Sequence, residues 1–461
     1  MKVLTTLFVT GVLGLSLSAQ EVDPGTASGA ILDLTKLLSY ADQRVPGGIN
    51  RDNTPLNNPI TDAGATLGRV LFYDRSLSRN GSISCASCHQ QEHAFGDPAR
   101  ASTGVAGTTG RHSMRLVNAR FSTERRFFWD ERAPSLEAQT TEPIQDHIEM
   151  GFSGGDGDPD FSALVSRIAK LELYQVLFTA VYGSPEVTEV RLQRALAQFV
   201  RSIQSFDSKY DEGLSSAPNP NANFVNFTAQ ENLGKRLFTD PPGPGAGCAI
   251  CHRPPTFDID PNSGHNGVIA SLGGGTDLTN TRAPSLRDLV DRNGVPHGPF
   301  MHDGSKSTLL EVINHYNAIP GITPGLDPRL AGPPPRPGTP PGAGQRLNLS
   351  EAEKEALVAF LGTLTGKSIY TDEKWSSPFD AKNQLSFVVL PTTAKVDAGS
   401  GRLVLRARGV PRVTYLLRSS TELGGWDEGI EITANADGEL IHELAEGSRR
   451  GFFSFVYRPA E

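Results

Sequence analysis

The chain has 461 residues, 38% apolar and 20% charged, a balance that allows two or three packed domains and argues against a disordered chain. Its formal charge is -8 with no basic stripe to neutralise phosphates, which argues against a nucleic-acid partner. The 48 glycines and 33 prolines point to long loops between modest helices.

The first segment reads as an export signal. Lys2 precedes an apolar run from Val3 to Leu17, and the small residues Ser16, Ser18 and Ala19 come just before Gln20 and Glu21, the pattern of a signal peptide over residues 1–19. That run is too short for a comfortable membrane span, and no later segment is long and apolar enough to make one. The mature chain is expected to be exported, to the periplasm, without a membrane span. A helix is predicted around Ala30–Ala41, then a Pro/Asn-rich loop to Pro59.

Thr61 or Asp62 can cap the next helix, which carries Leu67, Val70, Leu71 and Phe72 on one face. It leads to Ser84-Cys85-Ala86-Ser87-Cys88-His89. Two thiols separated by two residues and followed by histidine form the pattern for covalent haem attachment: each cysteine adds to a haem vinyl group and the imidazole ligates the iron. The pattern returns as Cys248-Ala249-Ile250-Cys251-His252, and the two motifs use all four cysteines. A redox dithiol needs no following histidine, and one four-cysteine zinc site needs no second. The reading is two covalently bound c-type haems, with His89 and His252 as proximal ligands.

Beyond a glycine-rich loop from Gly96 to Gly110, helical spacing (Leu164, Ile168, Leu171, Val176, Leu177, Val181) runs from Phe161 to Tyr182. A second helix is predicted from about Val187 to Phe206, and the two are expected to pack as a hairpin between the haem domains. Thr228-Ala229-Gln230-Glu231 is a capping box that opens another helix. Here a repeat emerges: Leu67-Gly68-Arg69-Val70-Leu71-Phe72-Tyr73-Asp74 matches Leu233-Gly234-Lys235-Arg236-Leu237-Phe238-Thr239-Asp240, each ahead of a haem motif. Phe128-Trp129-Asp130 in the first half faces Phe300-Met301-His302-Asp303-Gly304 in the second. The simplest account is a duplicated, mostly helical one-haem unit whose copies diverge at the far side of the iron.

After a Pro-rich loop from Pro320 to Pro341, Ser350-Glu351-Ala352-Glu353 caps a helix ending near Gly366. From Leu385 short β-type runs follow (Leu385–Val389, Leu403–Arg406, Thr414–Arg418, Glu431–Thr433, Phe452–Tyr457), read as an appended antiparallel β-sandwich. The expected fold is mainly α: two cytochrome c-like haem domains over residues 20–215 (with the hairpin) and 216–370, then a small all-β module over 371–461. A spacer or sorting role suits that module better than carbohydrate binding through Trp426, because aromatic residues in sandwiches are mostly core.

The far face of each haem separates electron transfer from peroxide chemistry. Closure by histidine and methionine stores an electron at raised potential; an open face beside an acid-base group can cleave peroxide. From about Asp62 to Gly366 the segments LGRVLFYDRSLSRNGSISCASCH, FFWDER, the glutamine at 139, EMG at 149–151, ALAQFVRSIQSFDSKYDEG, GCAICH and FMHDGS stand in one order. In this the chain resembles the bacterial di-haem cytochrome c peroxidases. The resemblance implies that Met301 ligates the electron-storing haem opposite His252, with the adjacent His302 a poorer substitute. It implies that Glu149 is the acid-base group of the peroxide site, Gln139 its partner, and Trp129 the indole between the haems; the three keep an even spacing of ten. It also implies hydrogen peroxide as substrate, a small c-type cytochrome or cupredoxin as electron donor, an inter-domain calcium ion and a homodimer.

The sequence departs from the family pattern in three places. The Gly104–Gly110 loop lacks the histidine that ligates the resting peroxidatic haem in well-studied members; His93 and His112 are the nearby candidates. His112 stands where an asparagine commonly helps bind the calcium, and the stretch from Leu286 to Met301 is longer than usual. Two alternatives stay open: a protein-modifying di-haem oxidase of the methylamine-utilisation type, whose members use a tyrosine where Met301 stands, and a non-catalytic di-haem carrier or sensor.

Overall fold

The structure, a computed structural model, describes residues 31–457 apart from positions 35, 124–125, 333–343, 381–382, 389–392, 398, 400, 410–411, 422–425 and 445–451. The export segment at 1–19 lies outside the described residues. In chain order the helices are α1 (Asp62–Tyr73), α2 (Cys85–Cys88), α3 (Leu136–Thr141), α4 (Phe161–Lys170), α5 (Glu172–Tyr182), α6 (Glu189–Ser202), α7 (Lys209–Ser216), α8 (Ala229–Thr239), α9 (Leu309–Asn317) and α10 (Glu351–Gly362). No helix among the described residues is long and apolar enough to cross a membrane.

Two helix pairs organise the haem-bearing part. Thr61 caps α1 by accepting from Gly64 N at 3.0 Å, and α6 crosses α1 so closely that a Cβ on Gly68 would run into the Ala195 carbonyl and come within 2.8 Å of Phe199 Cβ. In the second half Thr228 and Glu231 form the expected capping box on α8. There α10 crosses α8 in the same way, with Gly234 against the Ala356 carbonyl and 2.8 Å from Phe360 Cβ. Only a residue without a Cβ allows either approach.

The copies also share loop geometry. Phe127 bridges Ala133 as Phe300 bridges Lys306, and both loops place the second and fifth residues at positive φ: Phe128 at 71° and Glu131 at 56°, Met301 at 71° and Gly304 at 58°. Asn118 N bonds Ile203 O at 2.9 Å as Asp288 N bonds Leu364 O at 3.3 Å. Each half has its own apolar core, the first including Leu71, Phe72, Leu196 and Phe199, the second Phe238, Phe257, Leu357 and Phe360.

Three expectations are corrected. The helix predicted at Ala30–Ala41 is instead a strand, β1 (Ile31–Asp33), that pairs in parallel with β4 (Ser386–Val388) in the register Ile31↔Ser386; a short isolated helix is marginal, whereas the free edge of β4 offers backbone partners. The predicted Phe161–Tyr182 helix breaks at Leu171, which turns extended (φ −79°, ψ 119°) between α4 and α5. The second helix of the expected hairpin, α6, packs on α1 as the structural copy of α10 on α8, because small residues there permit close contact.

Strands β2 (His252–Arg253) and β3 (Asp258–Ile259) form a small ladder after the second haem motif. The remaining strands are β5 (Thr393–Val396), β6 (Leu403–Arg408), β7 (Thr414–Ser420), β8 (Ile430–Thr433), β9 (Glu439–Glu443) and β10 (Phe452–Tyr457). They make two sheets, ordered β1-β4-β10-β7-β8 and β5-β6-β9, with Leu405, Tyr415, Leu440 and Phe455 buried. Strands β5 and β9 fall outside the sequence-predicted runs. The core of this module is continuous with that of the first haem-bearing half through Trp375 and Leu385.

Candidate active site

The first motif is a tight turn. Ser84 N donates to Ser87 Oγ at 3.0 Å and His89 N to Cys85 O at 3.0 Å, which brings Cys85, Cys88 and His89 onto the wall of one cavity. His89 Nδ1 lies 3.1 Å from the Phe95 carbonyl oxygen, a contact that needs the proton on Nδ1 and leaves Nε2 free to ligate a metal. Burial lowers the His89 pKa.

In the second motif Cys251 N donates to Cys248 O at 3.2 Å, and His252 opens β2. Cys248, Cys251, His252 and Met301 line a second cavity. The His252 ring is buried with the Phe257 backbone beside it, and burial pushes its pKa down to about 4, so the ring is a neutral imidazole. The four thiols are free. Burial pushes Cys85 and Cys248 up to about 12, and Cys88 and Cys251 to about 11. Among the described residues no three His, Cys, Asp or Glu side chains gather around one metal position. Each motif instead faces its own large cavity with two thiols and a neutral imidazole, a donor set that fits one c-type haem apiece.

The two cavities differ in chemistry. That of His252 is walled largely by carbon, with Phe238, Leu289, Phe300, Leu309 and Leu357 around it. Met301 enters it from the positive-φ position of its loop, and Asn266 Nδ2 lies 3.3 Å from its sulfur and 3.1 Å from Tyr316 Oη. In the His89 cavity the position equivalent to Met301 is Phe128, which carries the Arg132 guanidinium 3.5 Å above its ring. One copy of the loop thus offers a thioether and the other a phenyl ring with no ligating atom.

Trp129, Gln139 and Glu149 all line the His89 cavity. Gln139 rides on α3, capped by Ser135 Oγ accepting from Ala138 N at 3.1 Å. Glu149 is set by a turn in which Asp146 Oδ1 accepts from Ile148 N at 2.8 Å and Glu149 N at 2.9 Å. Its carboxyl is pushed up to about 7, chiefly by burial and then by the Asp146 charge, with Arg132 pulling the other way and Glu142 adding to the rise. A carboxyl poised near neutrality in a cavity can accept and return a proton.

Trp129 and the stretch His112–Arg115 line both cavities. Trp129 Nε1 donates to His112 O at 2.7 Å, and Thr281 N and Arg282 N donate to the Trp129 carbonyl at 2.9 and 3.0 Å. The Gly104–Gly110 loop is sewn to the Glu149 segment, Val105 N to Glu149 O at 3.1 Å and Ala106 N to Ile148 O at 3.2 Å. His93 faces His297, ring centres 6.0 Å apart; His112 is buried, its Nδ1 3.0 Å from Ala99 O. His302 turns its ring to Trp129 and its Nε2 to Ala270 O at 3.0 Å.

Sequence reasoning passed over Phe128 as the counterpart of Met301, Arg132 above it and Asn266 beside the Met301 sulfur. The register of the repeat carries the first of these; nothing local marks the other two.

A family profile described as di-haem cytochrome c peroxidase matches residues 62–218. The methylamine utilization protein MauG of Methylophilus methylotrophus is 31% identical over 330 residues, 68% of this chain and 86% of that protein. The cytochrome c551 peroxidase of Nitrosomonas europaea is 27% identical over 347 residues, 71% of this chain and 89% of that one. Among solved structures, a MauG-like protein associated with microbial copper homeostasis superposes with TM-score 0.56 at 28% identity, covering 72% of this chain and 98% of its own.

Proposed function

We propose that this chain, which belongs to the di-haem cytochrome c peroxidase family, is an exported peroxidase that reduces hydrogen peroxide to water with electrons from a small redox protein. The family carries two c-type haems, and Cys85, Cys88 and His89 would hold one, Cys248, Cys251, His252 and Met301 the other. Bound haem supplies the redox-active iron that the side chains lack. The observation that carries the reading is the convergence of Glu149 and Gln139 on the cavity of His89, where Phe128 holds the loop position equivalent to Met301.

There Glu149 takes a proton from one peroxide oxygen and returns it to the other as the O–O bond breaks. Gln139 can hydrogen-bond the same oxygens without titrating. Each peroxide consumes two protons and two electrons and leaves as two waters. Met301 and the carbon-lined wall suit the other cavity to electron storage, since thioether ligation raises the potential, and Trp129 spans the wall between them. A small c-type cytochrome or cupredoxin in the periplasm suits the donor role. In the assay that tests this, Glu149→Gln keeps both haems covalently attached and loses peroxide turnover; full activity in that variant sinks the assignment.

A second reading, oxidation of a protein substrate, is favoured by the identity to MauG. Met301 supports the first, because members of the methylamine-utilisation type use a tyrosine where this chain has methionine, whose sulfur would close one haem. In the half-reduced protein, one five-coordinate haem that binds cyanide beside one that ignores it fits the peroxidase; two closed haems fit an electron carrier.

A further inference from the structure

Arg115 lies where the two cavities adjoin and lines both. Its Nε is shut off from solvent without a hydrogen-bond partner, and Nη2 makes a long contact, 3.5 Å, to Ser285 O. The Asp288 carboxylate acts on it through space but makes no direct bond to it: Asp288 Oδ1 accepts from Gly366 N at 2.8 Å and Tyr370 Oη at 2.7 Å, and Oδ2 is buried without a partner. Arg115 is half-buried, and desolvation of its guanidinium outweighs the opposing charge of Asp288 and pushes it down to about 10. A buried cation of this kind is costly unless an anion joins it.

The fold itself does not demand the charge. With Asn118 equivalent to Asp288, the residue three positions earlier is Arg115 in one half and Ser285 in the other. The stem of Arg115 is tied to the turn that orients the first haem ligand: a Cβ on Gly96 would meet Arg115 Cγ at 2.9 Å. Leu116 N donates at 3.3 Å to the Phe95 carbonyl, the one that His89 Nδ1 also contacts. A haem keeps two propionates after thioether attachment, and these are the anions the cavities would admit.

We propose that Arg115 receives a propionate of the His89 haem as a forked ion pair at the junction of the cavities, so positioning that haem and raising its reduction potential. Iron gains an electron on reduction, so a cation at the haem edge favours the reduced form. The inference rests on haem occupying the His89 cavity and not on which reaction follows.

The test uses the holoprotein, with haem content and the midpoint potentials of both haems as readouts. Arg115→Gln should retain two covalent haems and lower the His89 haem potential by more than that of its partner, while Arg115→Lys restores most of the shift. A structure of the wild-type holoprotein should show a carboxylate of the His89 haem within hydrogen-bond distance of the guanidinium, and this decides the matter if the variants lose haem. Unchanged potentials in a fully loaded Arg115→Gln protein overturn the proposal. So does a structure in which Arg115 is bridged by water to Asp288 with both propionates elsewhere. A protein with an intact Arg115–propionate pair and no peroxide turnover would instead remove the proposed reaction and leave this pair standing.

Discussion

Trp129 and His302 meet ring to ring, centroids 6.2 Å apart and planes at 66°, and they are the same position in the two copies of a duplicated loop. A residue touches its own copy only near the axis that relates the copies. The contact therefore marks where the halves adjoin, and places the indole on the wall of both cavities.

Trp129→Phe keeps a ring at this junction and removes the Nε1 donor to His112 O. The expected result is slower electron transfer from the His252 haem to the His89 haem, by about tenfold or ~1.4 kcal/mol in barrier, with peroxide binding unaltered. Rapid mixing of the half-reduced protein with peroxide measures both.

Glu149 is raised to about 7, so its ionised, proton-accepting form dominates only above that pH. Turnover should climb between pH 6 and 8 along a single ionisation near 7. The stability effect has the opposite sense: a carboxyl whose folded pKa exceeds its unfolded one destabilises the fold above pH 7 and carries no penalty below its ordinary range. Glu149→Gln should therefore be more stable than wild type at pH 8, by up to ~3 kcal/mol, and no more stable at pH 4. Denaturant melts at the two pH values check the sign.

Met301→Ala should convert one of the two haems to a species that binds external ligands and lower its midpoint potential, leaving the other spectrum in place. Spectroelectrochemistry reads both. If Met301→Ala matches wild type in both, methionine is not the ligand.

Gly68→Ala and Gly234→Ala each force a Cβ against the backbone of the crossing helix. Each should destabilise its own half by ~3 kcal/mol or more, the upper end of overpacking effects, whereas Gly110→Ala, which meets no neighbour, should cost well under 1 kcal/mol. Thermal melts followed at the haem absorbance would report the ranking.

Much of the helical framework was legible because its signals are local. Thr61 and Thr228 cap where their spacing to the apolar face says they should, and the Leu-Gly repeat exposes the duplication before any coordinates. The α4–α5 break was not legible: Leu171 fits the helical period, yet its backbone turns extended between the two helices. Strand β9 was missed because Glu439-Leu440-Ile441-His442-Glu443 is held by its pairing with β6, which propensity does not report. Gln139 and Glu149 were found by resemblance; their sharing of one cavity with His89 is a fact of the fold.

The sequence alone pointed to two c-type haems and to the residues expected to hold them, since a thioether motif with its adjacent histidine is complete within five positions. It also determined that the two halves are copies. Tertiary structure decided that Phe128 and Met301 hold equivalent loop positions at the two cavities. It decided as well that Ile31–Asp33 completes a sheet with Ser386–Val388, and that Trp129, His302 and Arg115 converge between the cavities. Those relations join segments far apart in the chain. They depend on which edges, faces and charges remain unpaired once each half has packed, and no local pattern encodes that.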